Sequence, residues 1–481
     1  MAPIAIEDAF ATMREATTSV ETLKTRRQHE HDRRHVRSWQ PIQMSSKVAK
    51  IKNPIRQLIA GIDLSLTPGQ GDKPLINLGL GDPSTFGNLL PPPEAVDAIN
   101  ESLYSGRANG YPESVGYADA RQAVADYFAD DENFQPTKAD VVLAHGASGA
   151  LEMALTTMVS PDSNILLPKP LFTAYEAMVA SIECEIRYYD LLPEQGWQVD
   201  FDSVEKLVDD KTALLLINNP SNPCGSNWSE SHLRDIASLC HRLCLPVISD
   251  EVYAGFAWNI SHPDPTRPPT LPVRSIIQGK FNRGCFTPFT SVCQDLPVLT
   301  VGALSKRWLA PGWRLGWVIV HDPRSRMTSV RDGLNRCAFR IQGPSSTVQR
   351  ALPNLFRNTR ESFFKQTLDT LQDVGKKLFK RLEAIDGLEP HLSDGAMYLL
   401  CGGLRNFDVS EYEERELQDD TERLDKAFIT ALHKEENVFI LPGAAFRLEG
   451  GFIRFVTTVP EHVLMQACDR LQAFCDRRRI A

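Results

Sequence analysis

The stretch Ser305-Lys306-Arg307-Trp308-Leu309-Ala310-Pro311-Gly312-Trp313-Arg314-Leu315-Gly316-Trp317 sets a lysine eight residues ahead of an arginine in a largely apolar run. A lysine held in its uncharged form attacks a carbonyl carbon and forms a Schiff base. An arginine presents a planar fork of donors that matches phosphate oxygens. One group for an aldehyde and one for a phosphate are two of the requirements of pyridoxal 5′-phosphate (PLP). That cofactor also needs a carboxylate for its pyridine nitrogen, donors for the ring oxygen O3′, a backbone cradle for the phosphate and a surface against the ring.

Each requirement has a candidate. Asp250 closes the apolar run Pro246-Val247-Ile248-Ser249 and suits the pyridine nitrogen, with Tyr253 three residues on as a donor to O3′. A helix N-cap is the structural alternative for Asp250. Asn222, in Asn218-Asn219-Pro220-Ser221-Asn222-Pro223-Cys224-Gly225, offers an amide to O3′ or to a substrate carboxylate; such turns are common in any loop. His145-Gly146-Ala147-Ser148-Gly149-Ala150 joins a strand to a helix. Its small residues admit a phosphate to the helix N-terminus, with Ala147 and Ser148 as contacts and Arg314 completing the cradle. Ser305 belongs to the same cofactor-binding set, and Phe172 is the candidate for the ring face. Lys306 requires a site that disfavours its charge, to which the adjacent Arg307 can contribute. Once released, its amine can move a proton at the substrate Cα. Arg454, in Gly451-Phe452-Ile453-Arg454-Phe455, is a charge within an apolar strand and needs an anionic partner. A substrate α-carboxylate and a structural salt bridge both satisfy it; Gly81 is a backbone contact for the same carboxylate.

These residues fall at the ends of apolar runs, where open α/β sheets bind ligands. Val141–Ala144, Asn164–Leu167, Thr212–Ile217, Pro246–Ser249 and Val298–Val301 read as strands alternating with helical patterns such as Gly149–Met158 and Glu230–Cys244. This alternation predicts an α/β fold, a large domain with a mostly parallel sheet sandwiched by helices. A helical pattern from Ser362 to Ile385 leads into a smaller α+β domain with strands near Ala396–Leu400 and Phe452–Val456. The expected division is a flexible tail over 1–45, an arm with part of the small domain over 46–95, the large domain over 96–360 and the small domain over 361–481. Residues 258–296 are proline-rich and irregular, which reads as a surface insertion at the edge of the site or a gene-model error.

Composition narrows the partners. With 481 residues, 42% apolar and 23% charged, the chain is long enough for several packed units. A net charge of −9 argues against nucleic acid. No apolar run approaches the roughly 20 residues that span a bilayer. Ten cysteines without a CxxC pair suit a reducing, cytoplasmic setting. Cys240-His241 and Cys244 lack a second ligand cluster, so no metal site is expected there. The basic stretch over 24–37 reads as a solvated tail.

Taken in order, Asn53-Pro54-Ile55-Arg56, Gly81-Asp82-Pro83, Asn109-Gly110-Tyr111, Asn218 to Gly225, Asp250-Glu251-Val252-Tyr253, Ser305-Lys306-Arg307-Trp308, Pro311 to Trp317 and Gly395-Ala396-Met397-Tyr398 resemble the class I/II, fold type I aminotransferases. The tyrosine and nicotianamine aminotransferase branch is the most similar. The resemblance spans about 50–475. It implies the PLP-transferase fold type I and a homodimer in which Tyr111 reaches the neighbouring subunit's PLP phosphate. It also implies ping-pong transfer of an amino group from an aromatic amino acid (tyrosine, phenylalanine or tryptophan) to a 2-oxo acid such as 2-oxoglutarate. Ala303 stands where many relatives carry a phosphate-binding serine. A carbon–sulfur lyase on cysteine conjugates shares this toolkit and stays open, as does a non-catalytic binding protein of the same fold.

Overall fold

The computed structural model describes residues 41–53, 55, 73–129, 134–259, 285–414, 417 and 419–480, together with Ser19 and Lys24. Pro54, Arg56, residues 25–37 of the basic stretch and Pro263, Pro265, Pro268, Pro269 and Pro272 lie outside these. Contacts divide the chain into Met1–Ser46 and Lys47–Ala481, and every strand described belongs to the second unit.

The strands are β1 Ile76–Asn77, β2 Val141–Ala144, β3 Asn164–Lys169, β4 Glu185–Leu192, β5 Gln198–Val199, β6 Thr212–Asn218, β7 Val247–Asp250, β8 Val298–Ala303, β9 Gly316–His321, β10 Glu389–Pro390, β11 Tyr398–Gly402, β12 Val438–Phe439, β13 Leu441–Pro442 and β14 Ile453–Val456. Eight of them form one sheet in the order β2-β9-β8-β7-β6-β3-β4-β5. The run β8-β7-β6-β3-β4 is parallel, while β9 opposes both of its neighbours and β5 opposes β4. Side chains alternate between the two faces of a strand, so a sheet covered on both sides needs apolar residues at every position. Leu214, Leu216, Ile248, Leu299 and Val301 pack on one face with the helices Gly146–Met158 and Thr328–Ile341. Leu215, Ile217, Val247 and Val298 pack on the other with Glu230–Arg242. Toward β2 and β9, that second face is covered by Ala118–Phe128 and Ser346–Asn358, around Leu143, Trp317 and Ile319.

A four-stranded antiparallel sheet, β10-β11-β14-β13, packs with the helices Glu361–Glu383, Asp420–Glu436 and Glu461–Arg478 around a separate core. The strand β1 pairs in parallel with β12, which ties the segment before the large sheet to this C-terminal core. Sequence expectations and elements agree within a few residues; Gly146, read as part of a turn, is the first helical residue.

Of the irregular stretch expected over 258–296, residues 260–284 lie outside the described ones, and the part after them is no surface segment. Residues 285–296 enter the core: Phe286, Phe289, Val292, Cys293 and Leu296 are buried, and the Phe289 amide donates to Glu251 Oε1 at 2.9 Å. Large apolar side chains at close spacing outweigh the proline signal there. Among the described residues, no helix is long and apolar enough to cross a membrane.

Candidate active site

The sheet's direction gathers the candidate residues. The register sets Asn218 beside Asp250 and Asp250 beside Val301, so β6, β7 and β8 end on the same edge. The strand β9 runs the other way and starts at Gly316, opposite both Ala144 and Ala303. The turn before it therefore brings Arg314 to that edge as well. There a cavity of about 420 Å3 is lined by Gly81, Ala147, Ser148, Phe172, Asn222, Asp250, Tyr253, Ser305, Lys306, Arg314 and Arg454. These are all of the sequence candidates except Tyr111, whose side chain lies outside the cavity and is 92% exposed.

Asp250 is 2% exposed. No helix starts at Asp250, so the N-cap alternative falls; the carboxylate instead accepts from the Val252 amide at 3.1 Å and from the Tyr175 hydroxyl at 2.6 Å. Burial pushes its pKa up to about 6, against the opposing effect of these two hydrogen bonds. No cation pairs with it among the described residues. The carboxylate is thus enclosed and oriented, yet electrostatically unfinished.

Lys306 follows the end of β8 and donates to the Gly81 carbonyl at 2.5 Å. Its pKa is lowered, first by burial and then by the charges of Arg454 and Arg314, while Tyr398 and Asp82 act the other way. The expected help from Arg307 is not what the fold supplies. Arg307 turns into the core, where its Nε donates to the Tyr127 hydroxyl at 3.1 Å and its guanidinium lies 4.1 Å from the centre of the Phe364 ring. A residue next in sequence faces away after a turn, so adjacency was a poor guide to field.

Ala147 and Ser148 lie in the first turn of the helix Gly146–Met158, where free backbone amides and the helix dipole favour an anion. Arg314 is exposed and donates to the carbonyls of Pro311 at 3.0 Å and His145 at 3.2 Å. Gly146 has φ +70°, and a Cβ there would lie 2.7 Å from Arg314 Nη2, so only glycine lets the fork sit against the helix start.

Arg454 is 3% exposed. Its guanidinium donates to Asn222 Oδ1 at 2.9 Å and to the Gly79 carbonyl at 2.7 Å, between the rings of Tyr398 and Phe446 at 4.2 and 4.5 Å. No carboxylate pairs with it among the described residues, so the salt-bridge alternative is not realised. Its Nε is buried without a partner.

Two site residues were given no role in the sequence reading. Tyr175, three residues after Phe172, orients Asp250. Tyr398 shares a 2.7 Å hydrogen bond with the Tyr253 hydroxyl. The signal for Tyr175 was chemical: a buried carboxylate needs a donor, and a tyrosine opens the helix after β3.

A doubly covered, mostly parallel sheet with a lysine, an aspartate and two arginines converging on one cavity defines the scaffold of the fold type I aminotransferases. The chain belongs to the family aminotransferase class I and II, whose model matches residues 73–471, and is a PLP-dependent transaminase. It is 37% identical over 438 residues to tyrosine aminotransferase of Mus musculus, covering 91% of this chain and 87% of that protein. It is 33% identical to nicotianamine aminotransferase 1 of Oryza sativa subsp. japonica, over 85% of this chain and 76% of that one. The crystal structure of tyrosine aminotransferase from Leishmania infantum superposes with a TM-score of 0.79 at 29% identity, over 92% of this chain and all of that one.

Proposed function

We propose that the protein moves the amino group of an aromatic L-amino acid, tyrosine, phenylalanine or tryptophan, to a 2-oxo acid such as 2-oxoglutarate by a ping-pong mechanism, with PLP as cofactor. The observation that carries this reading is the buried Arg454, which has no carboxylate partner among the described residues and lies in the same cavity as Lys306 and Asp250. The relatives named for tyrosine support the aromatic class, as do the apolar side chains of Leu80, Val252, Phe439 and Leu441 in the cavity wall.

The residues fit PLP. Asp250 lacks the cation that a protonated pyridine nitrogen provides, and that charge would hold the carboxylate ionised. Ala147, Ser148, Ser305 and Arg314 suit the phosphate, Tyr253 and Asn222 the ring oxygen O3′, and Phe172 the ring face. Lys306 would hold the aldehyde. When bound, the cofactor supplies an aldehyde carbon for the substrate nitrogen and an electron-poor ring that stabilises charge at the substrate Cα.

The chain's own part is binding, orientation and proton transfer. Arg454 anchors the α-carboxylate of the amino or oxo acid, with Asn222 holding the guanidinium and Gly81 close to the same carboxylate. The lowered pKa of Lys306 favours the neutral amine, the form that takes the proton from Cα and returns it. A homodimer in the cytoplasm, with the exposed Tyr111 of one subunit directed at the partner subunit's cofactor phosphate, completes the proposal. Ten free cysteines agree with a reducing compartment. The division into an arm (46–95), a large domain (96–360) and a small domain (361–481) is retained as part of this reading.

The test is incubation of the PLP-loaded enzyme with tyrosine and 2-oxoglutarate. Formation of 4-hydroxyphenylpyruvate and glutamate is expected. Pyruvate and free thiol from a cysteine conjugate, without transamination, would assign a carbon–sulfur lyase instead.

A further inference from the structure

A second cavity, also about 420 Å3, lies outside the active site and includes Lys52, Glu176, Ile186, Glu422 and Arg447 in its lining. It abuts elements that build the first. Glu176 follows Tyr175, the donor to Asp250, and Arg447 follows Phe446, the ring beside Arg454.

Its polar groups are of both signs and incompletely used. Arg447 has φ +61°, a left-handed conformation unfavourable for a side-chain-bearing residue. Its Nε donates to Glu176, whose carboxylate also accepts from the Tyr188 hydroxyl at 2.5 Å, and the guanidinium lies 4.8 Å from the centre of the Tyr188 ring. Tyr188 also engages this guanidinium, but no second carboxylate lies within ion-pair distance of it among the described residues, and half of the side chain is exposed, which leaves room on the fork for a ligand carboxylate. Lys52 has no carboxylate within ion-pair distance among the described residues, and Glu422, whose charge acts on Arg447, has no cation within that distance. Lys50 and Lys426, also in the wall, are paired with Glu183 and Glu414, and Ile186, Ala177 and Ala180 give it an apolar part.

We propose that this cavity is a second amino-acid site, taking a zwitterionic amino acid with an apolar or aromatic side chain. Arg447 and Lys52 receive the α-carboxylate, Glu422 receives the ammonium group, and the side chain lies along Ile186. A cavity with charged groups of both signs and a part-apolar wall matches that ligand class, whereas a simple anion leaves Glu422 facing it unfavourably.

Equilibrium dialysis with labelled L-phenylalanine on PLP-loaded Lys306→Ala enzyme, which cannot carry the amino acid through the half-reaction and release it as oxo acid, tests this. The expected result is two ligands per chain in that background, and one when either Glu422→Gln or Arg447→Gln is added, while each of these two substitutions made alone retains transamination. Adding Arg454→Leu also leaves one, at the second site. One ligand per chain in the Lys306→Ala enzyme, or two with both the Glu422→Gln and the Arg447→Gln additions, overturns the proposal. In the Arg454→Leu enzyme, inorganic phosphate or N-acetyl-L-phenylalanine displacing the label as well as phenylalanine does would make this an anion site and overturn the amino-acid assignment. If Arg454→Leu keeps two ligands while Glu422→Gln keeps one, the second site stands and the role given to Arg454 in the first falls.

Discussion

Asp250→Asn should stabilise the cofactor-free protein while impairing its use of cofactor. Burial raises the Asp250 carboxyl from its ordinary 3.8 to about 6. An acid that is harder to ionise in the folded state makes folding less favourable as it ionises. The folded protein binds more protons than the unfolded chain between about pH 4 and 6, so the associated stability is present below that window and is lost as pH rises through it. At pH 7.5 the loss is complete and amounts to about 3 kcal/mol. Asparagine removes it and keeps both hydrogen bonds in reach. Its carbonyl accepts from the Val252 amide, and its amide donates to the Tyr175 hydroxyl, which can rotate to accept. Urea unfolding at fixed temperature measures the difference. Without cofactor, the variant should be more stable by about 3 kcal/mol at pH 7.5 and by only about 1 kcal/mol at pH 4.5. With saturating PLP the order should reverse, because a pyridinium beside Asp250 turns a buried unpaired charge into a paired one. Equal stabilities at pH 7.5 without cofactor, or an advantage that does not shrink toward pH 4.5, would refute the reasoning.

Three further substitutions separate chemistry, binding and fold. Lys306→Ala should retain cofactor and fold but lose turnover by at least about 1,000-fold, measured as 4-hydroxyphenylpyruvate formed from tyrosine, because no other amine lines the cavity among the described residues. Arg454→Leu should raise KM for both amino and oxo acid by roughly 30-fold or more, the consequence of losing about 2–5 kcal/mol of charge-paired contact, with the cofactor's visible absorbance unchanged. Gly255→Ala acts on stability, since φ is +84° and a Cβ would lie 1.7 Å from Arg307 Nη1. Chemical denaturation should show a loss of more than about 2 kcal/mol, with the substrate affinity of the folded fraction kept.

The parts of the site that were legible in the sequence are those that β-strands deliver. Asp250 and Asn218 end parallel strands, Lys306 lies just beyond the end of a third, and the antiparallel β9 returns Arg314 to their edge. A residue at a strand end inherits its place from the sheet, so an apolar run followed by a chemical residue carries information about position. The parts that were not legible depend on pairings between distant elements. Tyr175 became a partner of Asp250 only because the helix after β3 brings its hydroxyl to the end of β7. Arg307 was expected to act on Lys306 and instead fills the space that Gly255 leaves open, because the turn after β8 sends consecutive side chains in opposite directions. The same limit explains the stretch before β8. Its prolines suggested an irregular surface segment through 296, yet Phe286, Phe289 and Val292 are pulled into the core, where Glu251 receives the Phe289 amide. Glu251 follows Asp250 directly. The backbone that aims Asp250 into the cavity is therefore buttressed from behind by a segment whose local sequence announces no structure at all, so substitutions at Phe289 should reach the cofactor site through Glu251 rather than through any contact of their own.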